Sequence, residues 1–247
     1  MRPPTFKLRY HFDSANRKNL SVAITPRLLE LTAVDAKTAV ATGRAELCAI
    51  ADLLEATGPL VWNRHKSQLR SSPGPGTLPL IWAESITSDG RFVFRAAKRN
   101  HKPYFCPHRG DDWLIAKAGC VLVQRTTAKE QERRLIAAGL SNAFVQKHGG
   151  AVVENHLNMV VSTNDSPAVH PTVLAAFLNS GAADYVFRCL SGSVAVSAYE
   201  LESMPLPPPS ALQKLRGLVV RAVSRQRIDA AAATAYGLRL RSGELSS

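Results

Sequence analysis

The sequence predicts an α+β fold, a mixed-sheet domain followed by a basic C-terminal helix. Short apolar runs with β-rich composition crowd the middle of the chain. Helical patterns sit between them irregularly, without the repeated strand–helix–strand units that a parallel array needs. A basic, Ala-rich stretch with helical spacing then closes the chain. At 247 residues there is room for one large domain or two small ones. The 45% hydrophobic and 20% charged content is that of a folded chain rather than a disordered one. No apolar run approaches the roughly 18 residues of a membrane span, so no membrane partner is expected. The opening MRPPTFKLRYHF has no uninterrupted apolar core of a secretory signal. Cys48, Cys106, Cys120 and Cys189 lack disulfide-like spacing, which suits a reducing cytoplasmic setting.

Three regions follow from the pattern. Residues 1–56 form an N-terminal segment that opens on the basic, aromatic-bearing FKLRYHFDSANRK. In Arg44–Ala56 the residues Leu47, Ile50, Leu53 and Leu54 recur at helical spacing, and Thr57-Gly58-Pro59 ends that helix. Residues 57–210 form the mixed domain. Strands are expected at Leu60–Trp62, Leu80–Trp82, Arg91–Phe94, Trp113–Ala116, Cys120–Gln124 and Ala151–Val153. Ser71–Pro79 reads as a turn-rich loop, and helices are expected at Thr127–Ala138 and Pro171–Asn179, the latter with Pro171 in its first turn. Pro205-Leu206-Pro207-Pro208-Pro209 interrupts regular hydrogen bonding. In residues 211–247 a single helix over Ser210–Leu238 is expected, with Leu212, Leu215, Val219 and Val223 on one face.

Charge gives the first indication of a partner. Thirty-one Lys and Arg against nineteen Asp and Glu give a net +12. The surplus lies at the ends: residues 1–110 carry net +9, 111–210 net −2 and 211–247 net +5. Such a surplus favours a polyanion, usually nucleic acid, because each neutralised phosphate releases counterions.

Three clusters carry suitable donors. After a short strand, GPLVWNRHKSQLR places Trp62, Asn63, Arg64, Lys66 and Gln68 together. Arg can fork to guanine acceptors, and Asn or Gln can pair with adenine. The same residues also fit a solvated basic loop over a buried Trp62. In CVLVQRTTAKEQERRL an apolar strand ends in Gln124-Arg125-Thr126-Thr127, a polar exit at a helix start that would seat a phosphate. Arg133 and Arg134 are expected on a solvated face. In VVENHLNMV, Glu154, Asn155, His156 and Asn158 lie between apolar residues. They form either an internal hydrogen-bond network or a recognition surface.

Several chemistries lack their signatures. No Gly-rich nucleotide loop, nucleophile elbow or HExxH helix occurs. His101, Cys106, His108 and Cys120 do not have zinc-finger spacing, so no metal site is expected. Asp111-Asp112 after a Gly reads as a turn rather than a magnesium site.

Three stretches are familiar together: TGPLVWNRHKSQL, then GDDWLIAKAGCVLVQRTTAKEQERRLIAA with VVENHLNMV, then LAAFLNS…YVFRCLSGSVAVSAYELESMPLPPP. They resemble the C-terminal, DNA target-recognition part of adenine-N6 DNA methyltransferases of type II restriction–modification systems. The likeness is to XhoI-isospecific methylases within the gamma class that includes the TaqI methylase. It covers residues 57–210. The resemblance implies a two-part enzyme. A Rossmann-like domain binds S-adenosylmethionine and receives a flipped adenine at an Asn/Asp-Pro-Pro-aromatic motif, and a C-terminal part reads double-stranded DNA. These 247 residues contain no such tetrad and no Gly-rich cofactor strand, so no catalytic or cofactor residue is carried over. A truncated, split or degenerate gene would account for that, with a methyltransferase catalytic domain or subunit as a partner. The chain alone is then expected to be inert towards methyl transfer. The DNA-facing set is Trp62, Asn63, Arg64, Lys66, Gln68, Gln124, Arg125 and Thr126, then Asn155 and His156. Asn179, Ser193 and Ser197 are read as structural. A small restriction endonuclease and a non-specific nucleic-acid-binding protein are the alternatives.

Overall fold

A computed structural model describes residues 58–126, 131, 133–162, 169–191, 193, 195–202, 204, 206–207 and 209–236. The N-terminal helix expected at Arg44–Ala56, together with Thr127, lies outside them. Among the described residues the fold is α+β, with two sheets and a helical layer. No described helix is long and apolar enough to cross a membrane.

The first sheet has the order β1 (Leu69–Arg70), β3 (Tyr104–Phe105), β2 (Leu78–Ile81), β7 (Ala151–Val153), β4 (Ile115–Ala116). It is mixed: β2 and β7 run parallel with Leu80 opposite Val152, and the other pairs are antiparallel. The second sheet is antiparallel, with β5 (Cys120–Gln124) between β6 (Ala137–Leu140) and β8 (Leu157–Val160).

Side-chain alternation divides the core into three layers. Leu80 and Val152 face outward from the first sheet onto Leu60, Trp82, Phe105 and Leu114. Ile81, Ala151 and Val153 face inward, where they meet Cys120, Leu122, Ala138, Leu140, Leu157 and Met159 of the second. Val121, Val123, Ala137 and Val160 face the helical layer. Burial on both faces explains why Cys120–Gln124 is legible as one continuous apolar run. It also pushes the Cys120 thiol up to about 12.

Ser141 caps α1 (Asn142–His148) by accepting from Phe144 N at 3.1 Å, and Gly149 closes it in the left-handed region, φ 73°. Pro171 opens α2 (Pro171–Leu178) as expected. Ser180 caps α3 (Gly181–Leu190) by accepting from Ala183 N at 3.1 Å. A short helix α4 (Ala198–Glu202) follows.

The structure corrects several expectations. Leu60–Trp62 contributes only a bridge at Leu60 before the chain enters 3-10 turns, and Arg91–Phe94 only the bridge Ile86↔Phe92. Trp113 and Leu114 lie in a 3-10 turn ahead of β4. Leu78 and Pro79 belong to β2 rather than to the preceding loop. The helix expected over Thr127–Ala138 ends as a strand: Leu135 and Ala137 face one core layer, Ile136 and Ala138 the other. Arg133 and Arg134 are half-buried rather than on a solvated face, and Arg133 Nη1 donates to Asn179 O at 2.5 Å.

The expected Ser210–Leu238 helix is three helices within the described residues: α5 (Pro209–Lys214), α6 (Arg216–Val220) and α7 (Arg225–Ala235). A continuous helix of that length would extend roughly 40 Å. Yet Leu212, Leu215, Ala232 and Ala233 all enter the core that holds Phe177 and Phe187. The chain must turn back to bury them, and it does so around Ala222, at φ 48°.

Candidate nucleic-acid interface

Between β7 and β8, Glu154-Asn155-His156 turns the chain from one sheet to the other, and Leu157 N closes the turn by donating to Glu154 O at 3.1 Å. Other segments are pinned to this turn. Gly58 N donates to Leu157 O at 2.9 Å, Leu60 N to Val153 O at 3.2 Å and Asn155 N to Leu60 O at 3.1 Å. Arg125 N donates to His156 O at 3.0 Å, and the Arg125 guanidinium to Asn155 O at 2.7 Å. The stretch after α3 joins them, since Val196 N donates to Arg125 O at 2.7 Å and Thr126 bridges Ala195. The main chain of Gly58 and Leu60, which leads into the first polar cluster, and Arg125 of the second thus meet the Glu154–His156 turn of the third, with Trp62 two residues beyond Leu60.

The approach at Gly58 is tight. A Cβ there would overlap the Glu154 carbonyl oxygen and lie 2.8 Å from its carbonyl carbon. Gly58→Ala is expected to lower folding stability by about 1–3 kcal/mol through overpacking. Urea unfolding should show a lower midpoint, with Gly74→Ala as a nearly neutral control, because nothing lies within 4 Å of a Cβ at Gly74.

Two 3-10 turns, Trp62–Arg64 and Lys66–Gln68, present Asn63, Arg64 and Lys66 to solvent. Trp62 is half-buried edge-on against Trp82, with ring centroids 6.0 Å apart, and Lys66 Nζ lies 5.8 Å from its ring centroid. Trp82 stacks on His101 at 3.7 Å, and His101 Nδ1 meets Glu84 at 2.7 Å. Burial opposes ionisation of Glu84, but main-chain hydrogen bonds and His101 outweigh it and hold the carboxyl below the usual glutamate value.

Two expected readers are occupied internally. Gln68 is 5% exposed, and its Nε2 donates to Cys106 O at 3.2 Å and Asp111 Oδ2 at 2.6 Å. Gln124 Nε2 donates to Ala83 O at 3.0 Å and Ile86 O at 3.1 Å. Through these contacts Gln68 ties the 3-10 turns to the loop at 106–111, and Gln124 ties β5 to the 83–86 turn. Arg125 is half-buried and serves partly as a strut, Thr126 is exposed, and Asn155 is half-buried. His156 is exposed, with its Nδ1 2.6 Å from the buried Glu154 carboxylate.

Sequence reading missed further exposed cations within residues 58–117. Residues 58–117 carry ten Lys and Arg against four Asp and Glu. Three of the acids are engaged: Glu84 with His101, Asp89 with Arg91, and Asp111 with Gln68 and His108 N. Arg64, Lys66, Lys98, Arg99, Arg109 and Lys117 are exposed. Trp113, read as a strand residue, is 66% exposed. The acid-free run Arg95–Lys102, with four cations in eight residues, was the available signal.

The expected structural residues have definite tasks. Asn179 pairs with both main-chain groups of Ala137: Ala137 N donates to its Oδ1 at 3.0 Å, and its Nδ2 donates to Ala137 O at 2.5 Å. Ser197 and Glu200 form a reciprocal cap on α4, with Ser197 N donating to Glu200 Oε2 at 2.9 Å and Glu200 N to Ser197 Oγ at 3.2 Å. The Ser191 hydroxyl donates to Glu200 Oε1 at 2.5 Å, and Ser193 Oγ accepts from Ala195 N at 3.0 Å. Glu200 thus links Ser191 to Ser197, and Val196 beside them reaches Arg125. Asp111 accepts from His108 N at 2.7 Å, as a turn residue would. Among the described residues no group of three or more His, Cys, Asp or Glu is placed to hold a metal ion.

No family model matches the chain. Over 168 residues, 66% of its length, the chain is 32% identical to the type II methyltransferase M.BsuBI of Bacillus subtilis. The likeness is to a type II methyltransferase. It spans 32% of that relative's length. Among solved structures, the HsdS subunit from Thermoanaerobacter tengcongensis is similar at TM-score 0.28 and 16% identity, over 87% of this chain and 55% of that one. A superposition that loose bears on neither the fold nor the function.

Proposed function

We propose that the chain is the sequence-reading part of a restriction–modification DNA methyltransferase, acting on double-stranded DNA in the cytoplasm. Within that family we place it with the adenine-N6 enzymes of the gamma class, near the XhoI-isospecific group. The observation that carries the reading is the meeting of the Gly58–Leu60 main chain and Arg125 at the Glu154–His156 turn, together with the exposed cations carried by residues 58–117. Likeness to a type II methyltransferase supports it. Exposed Arg and Lys would position the duplex through its phosphates, and Asn63, Arg64, Asn155 and His156 are the side chains suited to base edges. S-adenosylmethionine and the chemistry of methyl transfer belong, in this reading, to a catalytic domain or subunit. No residue described above is assigned to either.

Mobility-shift titrations over a range of salt test the proposal. Affinity should fall steeply with salt, as phosphate contacts require. Arg64→Ala should weaken binding to the preferred duplex by about 1–3 kcal/mol if Arg64 reads a base. An equal loss on every duplex would demote Arg64 to a phosphate contact. Equal wild-type affinity for every duplex would identify a non-specific nucleic-acid-binding protein instead.

A further inference from the structure

We infer that Glu154 is a positioning residue for base recognition and that His156 reads one base pair through Nε2. The inference rests on the DNA-reading role proposed above. Glu154 is 1% exposed, while the His156 side chain is 60% exposed. Glu154 grips its neighbour twice: Oε2 accepts from His156 N at 2.9 Å, and Oε1 lies 2.6 Å from His156 Nδ1. A carboxylate oxygen at that distance keeps a proton on Nδ1, because the ring nitrogen must be the donor. The tautomer is thereby fixed, and Nε2 is left as the ring's free hydrogen-bonding atom. The backbone beneath the ring is also fixed, since His156 O accepts from Arg125 N at 3.0 Å and Asn155 O accepts from the Arg125 guanidinium at 2.7 Å. A surface histidine that only solvated the turn would need neither a buried carboxylate nor a clamped main chain.

In the neutral ring Nε2 is an acceptor, which matches the exocyclic amino group of adenine or cytosine at the major-groove edge. Restricting ring orientation before binding reduces the entropy lost on contact, which is how an otherwise weak single bond gains selectivity. Glu154 itself is too buried to touch DNA, so its effect would pass through His156.

The test uses the full 247-residue chain at pH 8 and the duplex it prefers, obtained by selection from a random pool. Affinity is measured for every single base-pair substitution of that duplex. His156→Ala should flatten discrimination at one position, or at one symmetry-related pair, by about tenfold, and leave the other positions unchanged. Glu154→Gln keeps the shape of the side chain but no longer enforces the tautomer, and it should reduce discrimination at that same position. In the double variant the two losses should not add. Unaltered discrimination in His156→Ala, or flattening by Glu154→Gln at other positions only, overturns the inference while leaving the DNA-reading role intact. A wild-type chain that selects no site overturns both.

Discussion

Asp184→Ala is expected to lower folding stability by about 3–4 kcal/mol. Asp184 is nearly buried on α3, and one carboxylate oxygen accepts from Arg134 N at 2.5 Å and Leu135 N at 2.9 Å. Its other oxygen accepts from Arg188 Nε at 2.6 Å, one helical turn away. Hydrogen bonds to a charged acceptor contribute about 1.5–3 kcal/mol each, and a buried donor left without its acceptor bears a desolvation cost. The Arg188 pair adds little because that guanidinium is partly exposed. Asp184→Asn keeps a carbonyl acceptor for the main chain and should lose roughly half as much. Urea unfolding measures both, and a loss below about 1 kcal/mol for Asp184→Ala would refute the assignment.

Asn179→Ala should cost about 2–4 kcal/mol for a related reason. β6 is an edge strand, and the Asn179 amide occupies its open side as a short substitute strand, meeting Ala137 N at 3.0 Å and Ala137 O at 2.5 Å. Alanine would leave a buried donor and a buried acceptor without partners. Asn179→Asp restores only the acceptor and should remain substantially destabilised. Near-wild-type stability in Asn179→Ala would show that β6 holds its place without the amide. Asn179 holds the first residue of β6 and Asp184 the two residues Arg134 and Leu135 ahead of it; β6 pairs with β5, which ends at Gln124 and leads into Arg125.

These two residues also explain what the sequence could not disclose. Cys120–Gln124 is readable because a strand buried on both faces needs an unbroken apolar run. Ala137–Leu140 is not, because its small residues suit a helix and its strand conformation depends on pairing with Cys120–Val123 and on Asn179, 42 positions from Ala137. The C-terminal stretch has a genuine helical period, but a straight helix cannot return both Leu212 and Ala232 to one core. At the candidate interface, exposed donors such as Asn63, Arg64 and Lys66 were legible from composition and spacing. The roles of Gln68 and Gln124 were not, because an amide that reads a base and one that braces a loop look alike in sequence. Their partners, such as Asp111 and Ala83, are about forty residues distant. The meeting of Gly58–Leu60, Arg125 and Glu154–His156 likewise follows from strand register, which no single segment encodes.

Selection from a pool of random-sequence duplexes, followed by sequencing of the bound fraction, tests the central claim most directly. Applied to the purified chain at near-physiological salt, it should enrich one short site. A single base-pair mismatch in that site should cost about 1–3 kcal/mol. A bound fraction with the composition of the starting pool would contradict a sequence-reading role and leave only a general affinity for polyanions.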